Sequence, residues 1–312
     1  MLFSFTNLVN FVDKNERFMY LEQFNRDSSS ILKYVPFVVC FLGFMALNII
    51  FSSLMNIDSS TMIQDSIDKW GKNFTFFTFV VPFVFFLALL FLWWKFIHRY
   101  SITKLTTARE KIDWSRFFFS FGVWASINLI VLLIGYFIAP ESFQFQFNVK
   151  AFLPLLFIAL IFIPIQTSFE EYFFRGYFMQ FTAYLSKNRG VALVATSVIF
   201  GLMHLSNPEV SSMGLTVMIF YIGCGFVLGI MTLMDDGLEL ALGFHAANNL
   251  LGALLITSDS AVFQTDALFI STADSNIYEL LIQVFIIFPI LLYIFSKKYN
   301  WANWKQKLFK SI

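Results

Sequence analysis

The sequence predicts an all-α polytopic membrane protein, a bundle of about eight transmembrane helices around an intramembrane cavity. Three observations lead to this fold class. The chain is 58% hydrophobic and only 13% charged, with 44 phenylalanines and a mean hydropathy of +0.71, whereas soluble domains are about 25% charged. The apolar residues form stretches long enough to cross about 30 Å of hydrocarbon. Ionisable residues interrupt the later stretches, and membrane proteins tolerate such groups where they face a cavity.

These apolar stretches define the predicted helices, because lipid offers the backbone no hydrogen-bonding partner. The predicted spans are residues 34–55, 74–97, 117–139, 151–175, 189–206, 211–234, 238–258 and 277–296. They divide the chain into a polar cytoplasmic or interfacial segment (1–33), two spans and a basic loop (34–116), a core (117–260), and a last span with a basic tail (261–312).

The cations predict the orientation of the bundle. All but three of the 21 lysines and arginines fall at one end of the predicted spans, and Lys69, Lys72 and Lys150 fall at the other. Cytoplasmic loops carry an excess of lysine and arginine, so we expect both termini in the cytoplasm of a bacterial plasma membrane. One connection on the predicted cytoplasmic side disagrees, because it contains Asp235, Asp236 and Glu239 and no cation. Acidic residues influence topology little, so the predicted orientation is kept.

Charge and cysteine content exclude some functions. A net charge of +1 without a clustered basic, aromatic surface predicts no nucleic-acid partner. The basic loop and tail are expected to contact anionic lipid headgroups. Cys40 and Cys224 both lie inside predicted spans, which favours small buried apolar residues over a disulfide. We expect a monomer.

Polar residues within the later spans are the candidates for function. A charged side chain at the bilayer centre costs about 2.5 to 3.5 kcal/mol, so its presence calls for a role. Glu171 and Arg175 are four residues apart and are predicted to pair on one helix face, while Glu170 is turned by about 100° and can point elsewhere. His245 and Asn249 share a face in the same way, with Asn248 as a competing neighbour.

Helix geometry predicts that Glu170 and His204 lie at the same depth. Both are 17 residues from a predicted turn at Lys187, and the two helices joined there are antiparallel. The first of these helices must then extend to about Leu185, which is too long for one straight span, and Pro164 is the predicted place of a kink.

Three motifs resemble those of a known family. Residues Glu170–Arg175 match EExxxR, Phe200–His204 match FxxxH, and His245–Asn249 match HxxxN. In this order they resemble the CAAX protease and bacteriocin-processing (CPBP, or Abi) family of intramembrane endopeptidases, which includes the Ras-converting CAAX endoprotease. The resemblance covers about residues 110–260 and implies that the core at 117–260 is a catalytic region with an intramembrane active-site cavity.

The resemblance implies hydrolysis of a peptide bond in a hydrophobic or lipid-anchored substrate. Glu170 and His204 would activate water, His245 and Asn249 would stabilise the oxyanion, and Glu171 with Arg175 would form a supporting ion pair. Glu170, His204 and His245 are also an alternative zinc set. Because they do not form HExxH, we favour a site without a metal or other cofactor.

Two other functions stay open. A secondary transporter would use intramembrane Glu and His to relay protons, although no repeated halves are visible in the sequence. A non-catalytic immunity or adaptor protein would keep the helices with an altered site. For an enzyme, prenylated CAAX tails and bacteriocin leaders are not distinguished, and the basic cytoplasmic face suggests that substrate enters from that side.

Overall fold

The computed structural model describes residues 19–23, 31–273 and 276–312, and it is almost entirely helical. Most of the predicted polar segment at 1–33 lies outside the described residues. In chain order the helices and strands are α1 (Val35–Leu54), α2 (Ser59–Trp70), α3 (Lys72–His98), α4 (Ile102–Thr106), α5 (Trp114–Ile138), β1 (Phe143–Phe145), α6 (Val149–Ser186), α7 (Arg189–Leu202), α8 (Pro208–Met213), α9 (Leu215–Asp235), α10 (Glu239–Leu255), β2 (Ile256–Thr257), β3 (Phe269–Ser271), α11 (Ile277–Lys298) and α12 (Trp304–Phe309).

The helices confirm an all-α polytopic bundle. Within the described ranges, six helices are long and apolar enough to cross a membrane, namely α1, α3, α5, α6, α9 and α11. The other two predicted spans correspond to α7 and α10, which have 14 and 17 residues. Both are central: α7 packs on α9, and α10 packs between α5 and α6. The count of eight spans stays a prediction.

Side-chain caps fix where several helices begin. Asp113 accepts a hydrogen bond from the backbone nitrogen of Ser115 at the start of α5, and Asn188 accepts one from Val191 at the start of α7. These caps satisfy amides that have no partner within the helix. Lys187 adopts the left-handed conformation (φ 53°) between α6 and α7, which confirms the predicted turn.

The helix is not broken at Pro164, and a kink there stays a prediction. The α-helical part of α6, Val149–Glu171, continues through this proline. One turn further on, the Thr167 hydroxyl bonds to the carbonyls of Ile163 and Pro164. The irregularity lies further on, where Tyr172–Phe178 form a π-helical segment before α6 resumes and ends at Ser186. The length predicted for this helix is confirmed.

Glycines permit the closest helix crossings. A Cβ atom at Gly243 of α10 would overlap the carbonyl oxygen of Phe117 in α5. A Cβ atom at Gly225 of α9 would lie 2.6 Å from the carbonyl oxygen of Ser197 in α7. Small residues at such crossings let backbones approach closely, which is how helices associate where the surrounding lipid gives no hydrophobic driving force.

One end of the bundle, here called the cationic end, is tied together by ion pairs. Arg109 contacts Asp235 at 3.2 Å and Glu239 at 2.7 Å, and Arg116 also pairs with Asp235. The acids that had no cation in their own connection are therefore neutralised by the basic loop between α4 and α5. Their position at this end is consistent with the predicted topology.

The tail joins the same cluster. Lys307 of α12 contacts Asp236 at 2.6 Å, and the backbone nitrogen of Tyr20 donates to the same carboxylate. The indole of Trp301 donates to Asp235 at 3.2 Å. Segments from both ends of the chain thus dock on the α9–α10 turn.

A small sheet at the opposite end was not predicted. Strand β3 pairs with β1 in antiparallel fashion and with β2 in parallel fashion. The strands are only two or three residues long, too short for an alternating pattern to mark them in an apolar sequence. The sheet ties the α5–α6 connection to the segment after α10.

Candidate active site

A cavity of about 480 Å³ lies inside the bundle and contains all four residues predicted to be catalytic: Glu170, His204, His245 and Asn249. They come from α6, the turn after α7, and α10. Its other walls are mainly aromatic and are contributed by α1, α3, α6, α7, α9 and α10. The motifs are therefore brought together in one chamber, although they are far apart in the sequence. Their catalytic roles stay predictions.

Glu170 is held between an amide and an imidazole. The side-chain nitrogen of Gln166 donates to Glu170 Oε1 at 2.7 Å. Glu170 Oε2 lies 3.6 Å from His245 Nε2. Gln166 Oε1 in turn accepts a hydrogen bond from Asn249 Nδ2 at 3.2 Å. Gln166 therefore connects the acid on α6 to the asparagine on α10.

Glu171 and Arg175 form the predicted ion pair, and both side chains are fully buried. Arg175 Nη1 lies 2.9 Å from Glu171 Oε1. The guanidinium also donates to the carbonyl of Gly225 and lies over the ring of Phe200, 4.2 Å from its centre. The cation is thus paired, hydrogen-bonded and stacked, as a buried charge requires.

Glu171 has a second partner that the sequence did not predict. His245 Nδ1 lies 2.7 Å from Glu171 Oε1, and a carboxylate can only accept, so Nδ1 carries the proton. This hydrogen bond turns Nε2 of the same ring toward Glu170. The sequence-adjacent glutamates therefore face the two nitrogens of one imidazole.

His204 is fixed in a different way. Its Nδ1 donates to the carbonyl oxygen of Phe200 at 2.9 Å, which leaves the lone pair of Nε2 for a ligand. The ring stacks on Tyr221, with centres 4.3 Å apart and planes 18° from parallel. The Tyr221 hydroxyl accepts a hydrogen bond from Asn207.

Asn248 supports the site instead of competing for it. Its Oδ1 accepts a hydrogen bond from the indole of Trp124 at 3.1 Å, and its Nδ2 donates to Asn249 Oδ1 at 3.1 Å. The orientation of the Asn249 amide is set by this contact together with that to Gln166.

Glu209 lies on the cavity wall in the connection between α7 and α9. The backbone nitrogen of Val262 donates to its Oε1 at 3.0 Å. Burial raises the pKa of the Glu209 carboxyl, and the Val262 hydrogen bond lowers it in part. The sequence analysis did not single out this acid.

Zinc stays an alternative at this site. Within residues 19–23, 31–273 and 276–312, no three His, Cys, Asp or Glu side chains are grouped as metal ligands. His245 Nδ1 is bonded to Glu171, and His204 Nδ1 to a carbonyl, so the Nε2 atoms of both rings are the ones that would bind a metal, together with the Glu170 carboxylate.

Gln166 and Tyr221 are the main site residues that sequence reasoning missed. Gln166 precedes Glu170 by four residues, so the same one-turn spacing that paired Glu171 with Arg175 could have found it. Tyr221 approaches His204 only through the packing of α9 beside the end of α7, and nothing in the local sequence marks that contact.

Fold and site together define a multi-pass membrane protein with a buried acid and two imidazoles around one cavity. Residues 149–251, which contain every motif residue, match the family model described as Type II CAAX prenyl endopeptidase Rce1-like. This region is similar to the Rce1-like family, and the match confirms there the resemblance seen in the sequence.

A curated relative is similar over more than half of the chain. The chain is 36% identical over 170 residues to the uncharacterized protein YyaK of Bacillus subtilis (strain 168). The aligned region covers 54% of this chain and 57% of YyaK, so the chain spans little more than half the length of this relative. No solved structure matches the chain significantly.

Proposed function

We propose that this protein is an intramembrane endopeptidase that hydrolyses a peptide bond in a membrane-embedded or lipid-anchored substrate. The observation that carries the proposal is the approach of Glu170 to His245, at 3.6 Å, inside an aromatic-walled cavity of a membrane bundle. The family match over residues 149–251 supports the same reaction class.

In this reaction Glu170 acts as the general base. Gln166 occupies Oε1, so Oε2 is the atom that takes a proton from water. His204, whose Nε2 lone pair is available, accepts a second hydrogen bond from the same water and orients it. The water oxygen attacks the carbonyl carbon, and the proton on Glu170 passes to the leaving nitrogen as the peptide bond breaks.

His245 and Asn249 stabilise the negative oxygen of the tetrahedral intermediate. They lie one turn apart on α10, and one Asn249 N–H remains after the bond to Gln166. A well-placed donor of this kind contributes about 3 to 4 kcal/mol in other proteases. His245 donates to the oxyanion from Nε2 as the doubly protonated ring, since its Nδ1 proton is bonded to Glu171.

The cavity walls support a hydrophobic substrate. Phe41, Met45, Phe79, Phe83 and Phe86 of α1 and α3 line the cavity together with the polar residues. Apolar lining with a few convergent polar groups is typical of sites that bind largely apolar ligands. We propose a monomer in a bacterial plasma membrane, with both termini in the cytoplasm and the cationic end against anionic lipids.

Reconstitution tests the proposal. The wild type and Glu170→Gln are incorporated into proteoliposomes with a library of transmembrane and lipidated peptides, and products are identified by mass spectrometry. We expect cleavage by the wild type and a loss of about 10²- to 10⁴-fold in the variant, the usual contribution of a general base.

Glu279→Gln is the matched control, because Glu279 is an exposed acid at the start of α11. It should cleave like the wild type. Cleavage that survives Glu170→Gln contradicts the proposal. Proton-coupled flux without cleavage indicates the transporter, and the absence of both indicates a non-catalytic protein.

A further inference from the structure

Along α9 and α10, the cavity lies away from the cationic end. On α10 it extends from Phe244 to Gly252 and on to Ile256, whereas the ion-paired Glu239 begins that helix. On α9 it reaches no further than Leu228, two turns before Asp235. The cavity therefore runs from the predicted catalytic residues toward the end with the small sheet.

The exposed fractions of the lining side chains show which end of the cavity is closed. Phe174, Phe200, Leu228 and Phe244 limit it toward the cationic end, and each is 3% exposed or less. Beyond them lie the buried ion pairs of the α9–α10 turn. A peptide cannot pass this layer without unfolding it.

The opposite end is open. Asn207, Glu209, Ile256 and Ala261 line the cavity there and are only partly buried. Gly252 is exposed, and a Cβ atom built on it would meet no other atom within 4 Å. We call these five residues the rim.

From this geometry we infer that the cavity receives its substrate from the non-cytoplasmic side of the membrane. Cationic loops stay in the cytoplasm, so the rim faces away from it. The inference rests on the proposed function and replaces the initial expectation of cytoplasmic entry. The proposed substrate is a membrane-anchored peptide. Part of it has already crossed the membrane, and the scissile bond follows that part.

The lining of the cavity suits such a substrate. The rim carries the Asn207 amide and the Glu209 carboxyl, which can bind a peptide backbone or polar side chains. Aromatic side chains from α1 and α3 also line the cavity and can hold the apolar anchor. A translocated peptide with a polar outer segment and an apolar membrane segment matches both surfaces.

The first experiment determines which side the rim faces. Ala261→Cys at the rim and Lys111→Cys at the cationic end are introduced singly into a variant without the native Cys40 and Cys224. Intact cells and inverted vesicles are treated with a membrane-impermeant maleimide. We expect labelling of position 261 in intact cells and of position 111 in inverted vesicles; the reverse pattern overturns the inference.

The second experiment presents the substrate on one side only. Proteoliposomes sorted by orientation receive a lipidated peptide from outside, and cleavage is followed by mass spectrometry. We expect products only when the rim side faces the added peptide. Cleavage only from the side of Lys111 overturns the inference, whereas no cleavage from either side contradicts the proposed function itself.

Substitutions that block the rim test the inference independently. Gly252→Phe fills the open space and should lower cleavage about a hundredfold, because the peptide can no longer reach the reacting geometry. Gly122→Phe is the matched control, since Gly122 also lies on a helix next to open space but far from the cavity, and should cleave normally. Attaching maleimide to the folded Ala261→Cys protein should block cleavage as well. If neither Gly252→Phe nor the attached maleimide lowers cleavage, entry at the rim is excluded.

Discussion

Glu171 is the residue on which the polar site depends most. Its carboxylate accepts from Arg175 and from His245, so one buried acid neutralises a guanidinium and orients an imidazole. Glu170, next in sequence, faces the other nitrogen of the same imidazole. Two adjacent glutamates can therefore serve different functions because the helix turns them by about 100°.

Removal of Arg175 should destabilise the fold. Arg175→Met leaves the Glu171 charge buried without its cation, and breaking a buried ion pair in this way costs about 3 to 5 kcal/mol. We expect a lower thermal midpoint of the purified protein. Arg99→Met, at an exposed arginine after α3, should leave the midpoint unchanged. Equal midpoints for Arg175→Met and the wild type would falsify the structural role given to this pair.

Gln166 should affect cleavage more than stability. Gln166→Leu keeps the volume of the side chain but removes both hydrogen bonds, so that Glu170 and Asn249 lose their common support. Misplaced reacting groups lower rates by about a hundredfold, and we expect a loss of that order with a normal thermal midpoint. The control is Gln64→Leu on the exposed face of α2. An unaffected cleavage rate in Gln166→Leu is the result that excludes the assignment.

At the scale of single residues, the sequence predicts contacts within one helix and misses contacts between helices. The Glu171–Arg175 pair follows from spacing alone, and the same rule could have found Gln166 before Glu170. The Glu171–His245 bond and the stacking of Tyr221 on His204 join different helices, and their spacing in sequence carries no information about them.

At the scale of elements, α6 shows what can and cannot be predicted by counting residues along a helix. From the predicted turn at Lys187 we expected Glu170 and His204 at one depth, and this required the helix to extend to about Leu185; the turn and the helix end are both confirmed. We predicted a kink at Pro164, where the α-helix continues unbroken, and did not predict the buried π-helical segment Tyr172–Phe178. The residues of this segment suit an α-helix and a π-helix alike, so the local sequence does not mark it.

The α5–α10 crossing gives a prediction at this scale. Gly243→Ala places a methyl group against the Phe117 carbonyl, so the helices must separate, and overpacking of this kind costs about 1 to 3 kcal/mol. We expect a lower thermal midpoint and weaker cleavage. Gly122→Ala on α5 meets no atom within 4 Å and should be neutral or stabilising. If both variants behave alike, the close crossing does not limit packing.

For the whole molecule, the distribution of cations predicted the orientation but not how the cationic end is closed. The sequence showed an acidic connection without a cation, and the structure pairs it with residues from the basic loop and the tail. Such partners are more than 70 residues away in the chain, so periodicity cannot identify them. The four-part division of the chain also stays a prediction beyond the matched region.

Docking of the tail can be tested by proteolysis. Asp236→Asn removes the carboxylate that contacts Lys307 and the backbone of Tyr20, a half-exposed contact worth up to about 1 kcal/mol. We expect trypsin to cleave the tail several times faster than in the wild type while the bundle stays resistant, since opening follows the local free energy. Asp259→Asn, exposed at the opposite end, serves as control, and equal tail cleavage in both variants argues against docking through Asp236.

The central claim is that the cavity holds a water molecule that Glu170 activates to cleave a peptide bond. The most direct test is cleavage of a membrane-anchored peptide by reconstituted protein in water enriched in ¹⁸O, with the products weighed by mass spectrometry. The account predicts one ¹⁸O atom in the new carboxyl terminus with the wild type and no product with Glu170→Gln. Product without ¹⁸O, or labelled product from both proteins, contradicts it.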